Sequence, residues 1–179
     1  WDGRHEWTGT IPFDELPSVY NPKAGFIVTA NNKVIGDQYP RLLGADTAAG
    51  YRSQRIRDLL TDHRGPLDVA DLTAMQLDAR NPVAPRLVPY LLDIPLDDTF
   101  DREGQEVLRG WDFQQRPDSS AAAYFNVVWR NVLSLTFGDQ LPAGHRAVGG
   151  ERWFQVVSRL LDHPDSTWWD DERTPGVVE

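Results

Sequence analysis

Two adjacent side-chain amides, Asn31 and Asn32, close a short apolar run, Phe26-Ile27-Val28, that follows the turn residues Asn21-Pro22 and Gly25. A carboxamide offers two N–H donors and one acceptor. Held at the rim of a sheet, such a donor stabilises the oxygen that turns negative during acyl transfer. The plain alternative is that the pair ends a strand and forms a turn, a frequent use of asparagine. Arg52 follows within Gly50-Tyr51-Arg52-Ser53-Gln54-Arg55-Ile56. Its guanidinium is permanently charged and presents a fixed fork of donors. An exposed arginine at the start of a helix is the ordinary reading of such a residue.

Other chemistry finds less support. There is no cysteine, which removes thiolate metal sites and a Cys nucleophile from this span. His5, His63, His145 and His163 are scattered, with no i, i+4 pair that would suit a metal. His63 and His163 fall at expected helix C-termini, where a cation suits the dipole. Ser119, His145 and Asp118 make a triad only on paper, because no G-x-S-x-G turn is present. The seven tryptophans could stack on a sugar, but their helical and strand spacing favours core packing.

The elements that would position Asn31 and Arg52 divide the chain in two. Residues 1–40 form a β-rich segment, with strands expected over Trp7 to Phe13 and Gly25 to Ala30 and a turn at Asp14-Glu15-Leu16-Pro17. Residues 50–179 form a helical lobe. Tyr51, Arg55, Ile56, Leu59 and Leu60 share one helix face, and Gly65-Pro66 ends that helix. Asp68 caps the next helix, with Asp71 in its first turn and an apolar set of Val69, Leu72, Met75 and Leu77. Leu87 to Ile94 is apolar and interrupted by Pro89, which removes a backbone bond unless it lies in a first turn. Asp97 to Gly104 reads as an acidic connector, and Val107, Leu108 and Trp111 as a short helix. The longest helical signal starts at Ser119 or Ser120 and carries Tyr124, Val127, Val128, Asn131, Val132 and Leu135; Gly138 stops it. A last helix carries Trp153, Val156, Val157, Leu160 and Leu161, and Trp168-Trp169-Asp170-Asp171 packs behind it. The fold class expected is therefore mainly α with a small β portion at the N-terminus.

Composition bounds the function. A net charge of −9 argues against a nucleic-acid partner, since phosphate binding needs a basic face. No stretch approaches the roughly 20 apolar residues that span a bilayer. An acidic helical binding module without catalysis fits these facts as well as an enzyme does.

One ordered series goes further. Trp7-Thr8-Gly9-Thr10-Ile11-Pro12-Phe13, Leu16-Pro17, Asn21-Pro22, Gly25-Phe26-Ile27, Ala30-Asn31-Asn32, Tyr39-Pro40 and Gly50-Tyr51-Arg52 with Arg55-Ile56 resembles the β chain of penicillin acylases, most densely over residues 1 to 60. These are N-terminal-nucleophile amide hydrolases. The resemblance implies that the chain is a fragment of an αββα sandwich enzyme. It makes Asn31 the oxyanion donor, with Asn32 the fallback one register away, and Arg52 the organiser of the active-site network. Trp1 cannot serve as the nucleophile, so that group is expected outside this chain and the isolated chain is expected to be inactive. The implied partners are the remainder of the parent enzyme, its α chain and the rest of its β chain, and a small-molecule amide substrate. No membrane or nucleic acid is implied. The resemblance also implies export to the periplasm or medium. No cofactor is expected in this fragment. A structural calcium belongs to the full-length enzyme, with Asp37 and Asp46 the nearest acids here, each more simply read as a solvated loop residue.

Overall fold

The computed structural model describes residues 2–171 and 174. Six α-helices follow one another among them: α1 (Tyr51–Asp62), α2 (Val69–Gln76), α3 (Ala84–Asp93), α4 (Thr99–Glu106), α5 (Ser120–Phe137) and α6 (Glu151–Leu160). Short 3-10 turns occupy Phe13–Glu15 and Thr167–Trp169.

The helix ends obey capping chemistry. Asp68 and Asp71 form a reciprocal capping box at α2. The Ser119 hydroxyl accepts from Ala122 N–H at 3.1 Å and starts α5. Asp98 accepts from Phe100 and Asp101 N–H, so the expected acidic connector is instead α4. The acids there serve as cap and first-turn charge rather than as solvated linker. The short helix expected around Val107 and Trp111 is a turn, with backbone bonds from Leu108 N–H to Gln105 O and Trp111 N–H to Leu108 O. Pro89 lies inside α3, beyond its first turn. Gln105 reaches from α4 to the exit of α3, donating to Leu91 O at 2.6 Å and Ile94 O at 2.8 Å.

The core is built on α5. Ala122, Phe125, Trp129, Leu133 and Phe137 form its buried spine at i, i+3 and i+4 spacing. Val83, which caps α3, and Ala84, Leu87 and Val88 within it, together with Val157 from α6, meet that spine. The face expected from the valines is therefore misplaced: Val127 and Leu135 are exposed. The aromatic residues outcompete the valines, since a ring buries far more area than an isopropyl group. The expected face of α2 is also open, with Val69, Leu72 and Leu77 exposed. Gly104 of α4 lies beneath the Tyr124 ring, where a Cβ would sit 2.6 Å from Cε2. Behind α6, Trp168 packs on Phe137 at 5.5 Å between ring centroids, and Trp169 Nε1 donates to His163 O at 3.1 Å.

The expected N-terminal strands are not seen. Over residues 2–50 the backbone is irregular, and its one β-type contact is the parallel bridge between Asn32 and Ala48. A strand needs a neighbour to satisfy its N–H and C=O groups. Within these residues Trp7 to Phe13 and Gly25 to Ala30 have none, and Pro12, Pro17 and Pro22 remove donors besides. The segment is held at discrete points: Tyr39 Oη donates to Glu15 O at 3.0 Å, and Arg41 pairs with Glu15.

Candidate functional site

Asn31, Asn32 and Arg52 come together where the irregular segment meets the helical body. Asn31 has φ of 60°, the left-handed region that asparagine tolerates better than most side chains. That turn ends the extended run and lets Asn31 O accept Ala48 N–H at 2.8 Å. Gly50, with φ of 88°, supplies a second left-handed residue and launches α1. Arg52, in the first turn of α1, therefore points back at the chain it follows. Its Nη2 donates to Asn31 Oδ1 at 3.0 Å and to Ala30 O at 3.1 Å.

That contact fixes the direction of the Asn31 amide. A guanidinium has donors and no acceptor, so the atom facing it must be the carbonyl oxygen. Nδ2 is then on the far side, where it donates to nothing among the described residues. Asn31 itself is exposed. Asn32 differs: its Oδ1 accepts Ala30 N–H at 3.0 Å and its Nδ2 donates to Lys33 O at 2.9 Å. Both ends of that amide are spent on local backbone.

Glu151 completes the cluster from the first turn of α6. Its Oε1 accepts from Arg52 Nε at 3.1 Å and its Oε2 from Ala49 N–H at 3.2 Å. The sequence reading passed over it. Glu151 lies 99 positions from Arg52, and the only local sign was an acid opening a helix after Gly149-Gly150. Ring packing sets the registry. Tyr51 meets Phe154 edge-on at 6.0 Å, and Phe154 packs on Trp129 at 5.4 Å. Arg52 follows Tyr51, and Glu151 is one helical turn before Phe154, so the two are brought side by side.

Two clefts flank the cluster. One, of about 870 Å³, is polar and takes in Asn32, Thr47, Ala48, Ser53 and Glu151. The other, of about 790 Å³, lies between α1 and α2, with Ile56, Leu59, Leu60 and Met75 on its walls and Arg52 and Glu151 at its end. Asn31 lines neither. At the floor of the second cleft Arg55 grips Asp78 with two bonds, 2.8 and 2.7 Å, and Gln114 adds a third at 2.8 Å. Those donors, Arg55 foremost, hold the Asp78 carboxyl at about 2, below its ordinary 3.8.

Nothing in the described residues resembles a calcium cage. Asp37 is exposed and paired with Lys33, which holds its carboxyl below the usual range. Among the described residues no three His, Asp or Glu side chains gather as ligands. Calcium takes six to eight oxygens, so Asp37 and Asp46 do not fit that role by themselves. Of the histidines, His63 follows α1 and stands 3.6 Å from Asp71, and His163 follows α6. No helix among the described residues is long and apolar enough to cross a membrane.

Comparison with known proteins agrees with the ordered series. Penicillin acylase 2 proenzyme of Pseudomonas sp. strain SE83 is 33% identical over 136 residues, covering 75% of this chain and 17% of that protein. Acyl-homoserine lactone acylase QuiP of Pseudomonas fluorescens Pf0-1 is 28% identical over 196 aligned positions, covering 98% of this chain and 24% of that protein. QuiP of Pseudomonas putida KT2440 gives 28% over the same span. The chain thus spans a quarter or less of the length of these relatives. The sequence profile described as penicillin amidase matches residues 1–178, and the chain belongs to that family.

Proposed function

We propose that this chain is one part of an acylase that cleaves a linear amide, with the nucleophile supplied by residues outside it. In this reading the nucleophile adds to the amide carbonyl carbon, and the carbonyl oxygen takes up negative charge. Asn31 Nδ2 donates to that oxygen. Return of the electron pair expels the amine, which leaves protonated, and water then releases the acid from the acyl-enzyme. The α-amine at the N-terminus of the nucleophile's own chain acts as base, and Arg52 holds the Asn31 amide in its working orientation.

One observation carries the assignment. Arg52 occupies the acceptor end of the Asn31 amide and leaves the donor end open. The neighbouring Asn32 has both ends of its amide engaged in its local turn, the oxygen with Ala30 N–H and the NH₂ with Lys33 O. The relatives act on penicillins or on acyl-homoserine lactones by name, so the substrate class is an N-acylated amine. The isolated chain is inactive in this reading, because it carries a donor without a nucleophile.

The test is an amide-hydrolysis assay on the full-length gene product beside its Asn31→Gly variant. Glycine keeps the left-handed backbone and removes only the amide. A loss of about 10²- to 10³-fold in kcat is expected. Equal rates per active site would remove Asn31 from the mechanism.

A further inference from the structure

We propose that Glu151 is the positioning residue for the Asn31–Arg52 pair, holding the oxyanion donor in register from a helix far along the chain. The inference rests on the reading of Asn31 given above. Arg52 is half exposed, with 56% of its side chain open to solvent, and a long charged side chain in that setting has many rotamers available. Its hold on Asn31 is a single bond at the tip of Nη2. Something else must select the rotamer that makes it.

Glu151 is the one acid that contacts Arg52 among the described residues. Oε1 takes Nε, which fixes the plane of the guanidinium and so aims Nη2 at Asn31 Oδ1 and Ala30 O. Oε2 takes the N–H of Ala49, the residue after Ala48, whose own N–H bonds Asn31 O. One carboxylate therefore holds both the side chain that orients the amide and the backbone that carries it. Glu151 is itself anchored: only 27% of its side chain is exposed, and Phe154 one turn on is clamped between Tyr51 and Trp129. The chain of contacts runs from Trp129 in the core to Phe154, Glu151, Arg52 and Asn31. A carboxylate suits this task because it offers an acceptor to each of two donors at once.

The experiment uses the full-length protein and chromogenic N-acyl p-nitroanilides, with active sites counted as correctly processed, folded protein. Glu151→Ala lowers kcat per active site by about 10- to 10²-fold with little change in KM, the scale of a misplaced catalytic group. Glu151→Gln falls between Glu151→Ala and wild type. Its carbonyl still serves Arg52, but its NH₂ opposes the Ala49 N–H, and hydrogen exchange at Ala49 accelerates. In an Arg52→Ala background, Glu151→Ala costs clearly less than it does in the wild type, because only the route through Ala49 to Asn31 remains. Wild-type kcat in Glu151→Ala, with Asn31→Gly inactive, overturns the role of Glu151 and leaves that of Asn31 standing. Losses that simply add in the Arg52→Ala background overturn it as well, since they mark Glu151 as a general brace. If Glu151→Ala does not fold, Glu151→Gln decides: wild-type kcat with unchanged Ala49 exchange overturns the proposal. Wild-type activity in Asn31→Gly sinks the reading of Asn31 instead.

Discussion

Residues 2–50 and residues 51–169 obey different rules within one chain. The second region folds around its own rings: Phe125 and Phe137 are buried, and Trp111, Trp153 and Trp168 pack on them at 4.8–5.5 Å. The first is as rich in aromatic residues, yet Trp7 is 95% exposed and Tyr20 96%. Large apolar side chains left in water contribute nothing to a core. The contrast teaches where this chain's stability and its proposed chemistry reside. Stability comes from the helical body. Asn31, the proposed oxyanion donor, sits on the seam, carried by the irregular segment and held by side chains of α1 and α6.

The sharpest way to break this division is to damage the body alone. Phe125 is fully buried at the middle of α5 and touches Trp111. Phe125→Ala removes the ring and leaves a cavity, an expected loss of about 3–5 kcal/mol. Urea denaturation of this chain measures it. A loss under 1 kcal/mol would mean that the α5 spine is not the core.

A smaller effect tests the join between α1 and the segment after α2, where Arg80 pairs with Gln114 in an antiparallel bridge. Asp78 has its carboxyl held at about 2 by Arg55, against 3.8 unperturbed. A folded-state value below the unfolded one stabilises the fold above the unfolded value and is lost as pH falls. The window is therefore about pH 4 down to about pH 2, and the shift corresponds to about 2 kcal/mol. Both partners are less than one-third exposed, so solvent screens the pair only in part. The stability difference between wild type and Asp78→Asn should shrink by most of that amount between pH 6 and pH 2. A pH-independent difference would show that the pair is not what joins α1 to the rest.

Much of the body was legible because its signals are local. The Asp68–Asp71 box, the Ser119 cap and the stop at Gly138 each act within one helical turn. The α5 face was misread because valines and aromatic residues alternate around that helix, and only tertiary packing decides which set is buried. The acids of 97–104 looked like linker because a cap and a solvated run have the same composition. In the seam, the order of Asn31 and Arg52 was visible through the family resemblance, but Glu151 was not. Its relation to Arg52 exists only after Tyr51, Phe154 and Trp129 have stacked. The strands expected before Asn31 carried the right residue types, but a strand is a property of pairs, and these residues find no pairs among themselves.

The smallest expected effect sharpens the comparison most. Trp7→Ser should alter the stability of this chain by less than about 0.5 kcal/mol, since a surface side chain with no contacts has little to lose. The same substitution in the full-length protein should cost more than about 2 kcal/mol if the remainder of the enzyme covers residues 2–50, because a buried tryptophan is among the most expensive side chains to truncate. The two numbers together read out the partner surface directly. Equal, near-zero costs in both proteins would mean that Trp7 stays in water in the whole enzyme. The irregular segment would then be an outer strap over the seam rather than a contribution to a shared sheet. The Asn31 donor would have to be completed by residues approaching from the clefts that flank α1.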